Sequence, residues 1–119
     1  ENVCVVGLGL LGQITCQILN ANGCNVIGID VSQQMVDFTN NNDFAKAYNR
    51  NNKSLITILD NSTNGYGFDK VIITAATPTN DPIVLSTKIL RRQLLETVRD
   101  RRTERRDVTG RAAGYRENF

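Results

Sequence analysis

The stretch VCVVGLGLLG, Val3 to Gly12, constrains this chain more than any other: four apolar residues, three of them valine, run straight into glycines at 7, 9 and 12. A short apolar run bounded by glycine reads as a strand buried on both faces. Leu10 to Asn22 follows as a helix, with Leu11, Ile14, Ile18 and Leu19 at spacings that share one face. Gly23 supplies the left-handed residue that ends it.

Strand and helix then alternate. Val26 to Ile29 reads as a second strand finishing at Asp30, after which Ser32 caps a helix that turns Met35, Val36 and Phe38 inward. Asn40, Asn41 and Asn42 close that helix, because Asn tolerates the left-handed region better than any residue except Gly. A weak third strand falls near Phe44 to Tyr48, NRNNK is a turn, and Ser54 to Asn61 makes a short helix through Leu55, Ile56 and Leu59. In NGYGFDKVIITAA two glycines precede the strand Val71 to Thr74. Pro78 and Pro82 bracket a loop, and a helix starts near Pro82, whose missing N–H would go unpaired in a first turn anyway. Four uniformly apolar strands between helices predict an α/β fold: a doubly wound parallel sheet covered on both faces.

Composition excludes several classes of function. With 119 residues, 40% hydrophobic and 22% charged, one ordinary globular domain is expected. No apolar run nears the roughly 18 to 20 residues of a spanning helix, and no basic start with a cleavage site opens the chain. A cytoplasmic protein with no membrane partner is the expectation. Cys4, Cys16 and Cys24 form no C-x-x-C pair, and the chain holds no histidine. Neither a metal site nor a Ser-His or Cys-His nucleophile can be assembled, so no catalytic residue is assigned. The cysteines are expected as small buried side chains.

The glycines stand where a strand ends and a helix begins, the context that lifts G-x-G-x-x-G above chance. Gly7 lets the chain turn sharply, Gly9 leaves bare backbone for a pyrophosphate, and Gly12 lets the helix pack closely on the sheet. The helix start adds unpaired N–H groups and the positive end of its dipole. Asp30 lies 18 residues past Gly12 at the end of the second strand, where a carboxylate accepts from the adenosine ribose hydroxyls. A 2′-phosphate there would meet a like charge with no arginine close behind Asp30 in the sequence. The expected cofactor is NAD rather than NADP, and the fold is a Rossmann-like one.

VCVVGLGLLGQITCQILNANGCNVIGIDVS, followed by TNGYGFDKVIITAA, resembles the nucleotide-binding domain of the medium-chain dehydrogenase/reductase family, which includes zinc-dependent alcohol and polyol dehydrogenases. It is most similar there to sugar or inositol type two-part oxidoreductases. The likeness covers about residues 2 to 92, and its more specific part is T-x-G-x-G-x-D, matched by Thr63, Gly65, Gly67 and Asp69. It implies that Gly7, Gly9, Leu10, Leu11 and Gly12 line the pyrophosphate, that Asp30 holds the ribose, and that Thr74 and Ala75 approach the cofactor from the neighbouring strand. It also implies hydride transfer from an alcohol or sugar substrate in the complete enzyme, with zinc, if used, in a separate domain. A chain that begins at Glu1, already close to a strand, then reads as part of something longer, without catalytic activity of its own.

The pattern departs from the family near Arg91. Residues 1 to 87 hold four Lys/Arg against seven Asp/Glu, and residues 88 to 119 hold ten against five. The chain is therefore divided into a partial NAD-binding domain, 1–92, and a basic tail, 93–119, helical or disordered. Leu90, Leu94, Leu95 and Val98 at helical spacing extend the Pro82 helix to about Arg106, with Gly110 and Gly114 beyond it. Glu96, Asp100, Glu104 and Asp107 break the basic face and argue against nucleic acid, whereas the apolar stripe leaves the tail free to form a homodimer. Two other readings stay open: a regulatory nucleotide-sensing domain resembling those of potassium transporters, and an inactive truncated remnant that dimerises.

Overall fold

The computed structural model describes residues 1 to 91. In chain order they form β1 (Asn2–Val6), α1 (Leu10–Ala21), β2 (Asn25–Asp30), α2 (Gln33–Asn41), β3 (Lys46–Asn49), α3 (Leu55–Ser62), β4 (Lys70–Ile73) and α4 (Asp81–Ile89). The strands make one parallel sheet ordered β3-β2-β1-β4, with Val5 beside Gly28 on one side and Ile72 on the other. Parallel neighbours need crossover connections, and each crossover here carries a helix. This is the doubly wound α/β class expected from the sequence. No helix among the described residues is long and apolar enough to cross a membrane.

Alternate residues of β1 and β2 feed two separate cores. Cys4, Val6, Ile27 and Ile29 meet Leu55 and Leu59 of α3, Phe68, and Leu85 and Ile89 of α4. Val5 and Val26 face the other way, onto Leu8, Cys16 of α1 and Val36 of α2. The period-two alternation of a strand thus loads both faces, which is why the strands read as unbroken apolar runs. The outer edge of β3 is covered by a side chain: Asn40 of α2 donates to the Ala47 carbonyl at 3.0 Å and accepts from the Ala47 N–H at 2.9 Å. That pairing satisfies backbone groups an edge strand would otherwise present to water.

Five expectations need correction or restriction. Helix α1 does not bury the Leu11, Ile14 and Ile18 face; these side chains are 63%, 44% and 57% exposed. Gly12 sets the rotation, since a Cβ there would lie 1.8 Å from the Gly7 carbonyl oxygen, so only glycine can face the sheet at that point. Gln13 and Cys16 follow it inward, with Leu19 against the same core. Phe38 is 48% exposed and packs edge-on against Phe44 rather than into the core. The asparagines do not end α2 through left-handed backbone: Asn42 has φ −101° and it is Asp43 that adopts φ 56°. Helix α4 stops at Ile89, because Leu90 is extended and bridges in parallel to Phe68. The proposed helix to Arg106, Gly110, Gly114 and the dimerising tail otherwise lie outside the described residues.

Other local readings hold. Gly23 is left-handed at φ 84°, and the Ser32 hydroxyl accepts from the Met35 N–H at 3.4 Å to cap α2.

Candidate functional site

Gly7 directly follows β1, and its N–H still donates to the Ile29 carbonyl of β2 at 2.8 Å. The backbone then swings through φ 109°, a left-handed conformation, with the Gly7 α-carbon so close to β4's end that a Cβ would sit 2.6 Å from the Ala75 nitrogen. Thr74 Oγ1 donates to the Gly7 carbonyl at 2.8 Å, locking turn to strand end. Gly12, the third residue of α1, fills the space above that carbonyl. Gly9 differs from both: nothing lies within 4 Å of where its Cβ would be, and its φ is an ordinary −74°.

Leu8 is held from three directions. Its side chain is fully buried over Gly28, its carbonyl accepts from Gln13 Nε2 at 3.0 Å, and its N–H donates to Asp30 Oδ2 at 2.7 Å. The other Asp30 oxygen accepts from the Ser32 N–H at 2.8 Å. A carboxylate has about four acceptor sites, so two bonds leave Asp30 able to accept more. The glycine loop is thus pre-shaped by the same carboxylate that stands at the end of β2.

Helix α1 starts at Leu10 without a side-chain cap or an acidic residue in its first turn, and its first backbone bond runs from the Gln13 N–H to the Gly9 carbonyl at 2.9 Å. The N–H groups of Leu10, Leu11 and Gly12 precede that bond, so they and the helix dipole form an anion-attracting end.

These parts border a crevice of about 400 Å³ along the carboxyl ends of the strands. Of the expected site residues, Gly7, Gly9, Asp30, Thr74 and Ala75 line it. Leu10, Leu11 and Gly12 are not among its lining residues: Gly12 is buried beneath the loop, and the Leu10 and Leu11 side chains turn to solvent. In a sheet ordered 3-2-1-4 the chain reverses direction beside β1, the position at which α/β sheets open a ligand crevice.

Sequence reasoning missed Arg50 and Asp81, which also line the crevice. Arg50 follows β3 and Asp81 opens α4; Arg50 Nε and Nη2 each donate to a different Asp81 oxygen at 2.9 Å, a bidentate pair. Strand order was the available signal, because residues just past β1, β2, β3 and β4 must share one edge.

The second glycine motif lies at the opposite end of the sheet. Thr63 Oγ1 accepts from the Gly67 N–H at 2.9 Å, while Asp69 accepts from the Asn2 N–H and from Arg91 Nη1, both at 2.8 Å. The Asn2 N–H, then the Arg91 guanidinium, hold the Asp69 carboxyl below the usual aspartate range. This motif clamps the starts of β1 and β4 and the return of the chain after α4, remote from the crevice.

Burial pushes the thiol of Cys4 up to about 12 and that of Cys16 up to about 11, whereas Cys24 is half-buried. Among the described residues no three of Cys, Asp and Glu gather as metal ligands, and histidine is absent from the chain. Zinc does not fit this part of the molecule.

Comparison with known proteins points one way. The family model described as zinc-binding dehydrogenase matches residues 11–92. An alcohol dehydrogenase from Thermus sp. ATN1 superposes with TM-score 0.66 at 19% identity, over 76% of this chain and 26% of its own. The D-arabinose dehydrogenase from Sulfolobus solfataricus gives 0.64 at 25% identity, over 78% and 28%. A UDP-N-acetyl-D-mannosamine dehydrogenase from Methanococcus vannielii is 41% identical over 44 residues, 37% of this chain and 10% of that protein. The chain therefore spans about a quarter of the length of these structures.

Proposed function

The chain belongs to the zinc-binding dehydrogenase family, and we propose that its glycine-loop crevice is the NAD site of an oxidoreductase acting on an alcohol, polyol or sugar. The observation that carries this reading is the contrast among the glycines. Gly7 and Gly12 are forced by contacts within the protein, whereas Gly9 faces open space at the uncapped start of α1. Bare backbone beside an anion-attracting helix end suits a pyrophosphate.

Each residue then has a defined task. The Leu10, Leu11 and Gly12 N–H groups meet the pyrophosphate oxygens. Asp30, already fixed by Leu8 and Ser32, accepts from the adenosine ribose hydroxyls and repels a 2′-phosphate. Thr74 and Ala75 set the wall along which the dinucleotide runs toward the end of β4. Bound NAD supplies a hydride acceptor at its nicotinamide; the protein's part here is to hold and orient it. Substrate contacts and proton transfer are assigned to parts of the enzyme corresponding to the remaining length of its relatives.

Calorimetric titration of the 119-residue chain with NAD and with NADP tests this. NAD should bind and NADP bind more weakly, with Asp30→Ala narrowing the gap. Equal binding of both by the unaltered chain would remove Asp30 from its assigned role.

A further inference from the structure

Arg50 is the only cation among the described residues that line the crevice, and it does not face the open space as a free charge. Its backbone N–H donates to the Asp30 carbonyl at 2.9 Å, which roots its side chain beside the residue assigned to the adenosine ribose. Its guanidinium spans from the end of β3 to the start of α4, where Asp81 takes two parallel bonds at 2.9 Å. The Arg50 side chain is 26% exposed and that of Asp81 48%. A two-bond fork of this kind fixes orientation as well as charge.

We propose that Asp81 sets the choice of dinucleotide by holding Arg50 in this pair, so that its charge is neutralised and turned away from the position a 2′-phosphate would take. The inference rests on the dinucleotide reading above and adds a specificity-determining pair to it. With the pair closed, Asp30, Asp81 and Arg50 leave the crevice wall net negative, which repels a ribose phosphate and leaves ribose hydroxyls unaffected. With Asp81 removed, the same guanidinium, rooted one residue past the strand that pairs with β2, is free to turn toward the ribose beside Asp30. A planar fork then faces a phosphate, the geometry arginine recognises best.

The test is titration of the unaltered chain, Asp81→Ala, Arg50→Ala/Asp81→Ala and Asp81→Asn with NAD and NADP, each checked for native circular dichroism. We expect Asp81→Ala to lower the NAD-over-NADP preference by about tenfold or more, through tighter NADP binding. The double variant should return NADP to weak binding, because the gain needs the arginine. Asp81→Asn, which keeps one acceptor for Arg50 and preserves the helix start, should give a smaller gain of the same sign. An unchanged preference in both single variants overturns the proposal. So does a gain that survives in the double variant, since it would come only from losing a negative charge. Failure of the unaltered chain to bind NAD overturns the dinucleotide reading itself, and this proposal with it.

Discussion

Gly12→Ala should damage the fold, and Gly9→Ala should spare it. A methyl group at residue 12 would lie 1.8 Å from the Gly7 carbonyl oxygen, 2.8 Å from its carbonyl carbon and 3.0 Å from Thr74 Oγ1. Ordinary contact demands more than 3 Å, so α1 must retreat from the sheet by over an ångström or the Gly7 turn must open. Both routes disturb fully buried Cys16 and the Gln13 bonds to Leu8 and Thr39. Overpacking of this kind costs about 1 to 3 kcal/mol, and each weakened hydrogen bond adds about 1 kcal/mol. A loss of roughly 3 kcal/mol is expected, which for a domain of this size lowers Tm by about 12 °C or more. At residue 9 the backbone already has φ −74° and the space is open, so alanine should change stability by less than about 0.5 kcal/mol. The same alanine should weaken NAD binding by about tenfold or more, because its methyl occupies the side from which the pyrophosphate approaches. Thermal and urea unfolding followed by circular dichroism, with NAD titration alongside, separates the two effects. A Gly12→Ala protein within 1 kcal/mol of the parent would refute the packing argument; a Gly9→Ala protein that is destabilised equally would refute the division of roles.

Three smaller effects follow from individual contacts. Asp69 is held below the ordinary aspartate range, so its contribution to stability is whole above about pH 4 and drains away as the pH falls through its lowered native value. Asp69→Asn should therefore be less stable at neutral pH and lose less on acidification, read from urea unfolding between about pH 2 and pH 7. Thr39→Val removes the acceptor of the 2.7 Å bond from buried Gln13 Nε2 and should cost about 1 to 2 kcal/mol, measured by the same method. Cys24 should react with a maleimide in the native protein while Cys4 and Cys16, buried and with raised thiol pKa values, react only after unfolding; equal labelling of all three would contradict the packing of β1 and α1.

The fold was legible because its signals are local and repeated: apolar runs of strand length, glycine at a strand end, serine before a helix. The orientation of α1 was not, since apolar periodicity points to Leu11, Ile14 and Ile18, and the contact that overrules it joins Gly12 to Gly7 and Thr74, visible only once β1 and β4 are neighbours. The same holds for the crevice. Gly7, Gly9 and Asp30 announce themselves through spacing, but Arg50 sits in a stretch that reads as a polar turn, and only strand order brings it to the edge shared with Asp30. The asparagine run misled for another reason: Asn40 spends its amide on the backbone of β3, a side-chain pairing across the α2–β3 turn that no left-handed preference anticipates.

The central claim is a location, that a dinucleotide lies along the carboxyl ends of the strands at the glycine loop. Backbone amide chemical shifts of the labelled chain, followed by NMR as NAD is added, test it most directly. The account predicts that the largest changes fall on Gly7, Gly9, Leu10, Leu11, Asp30, Thr74 and Ala75, with the Thr63 to Asp69 end of the sheet unmoved. Changes centred on Thr63 to Asp69, or none anywhere at millimolar NAD, would contradict it.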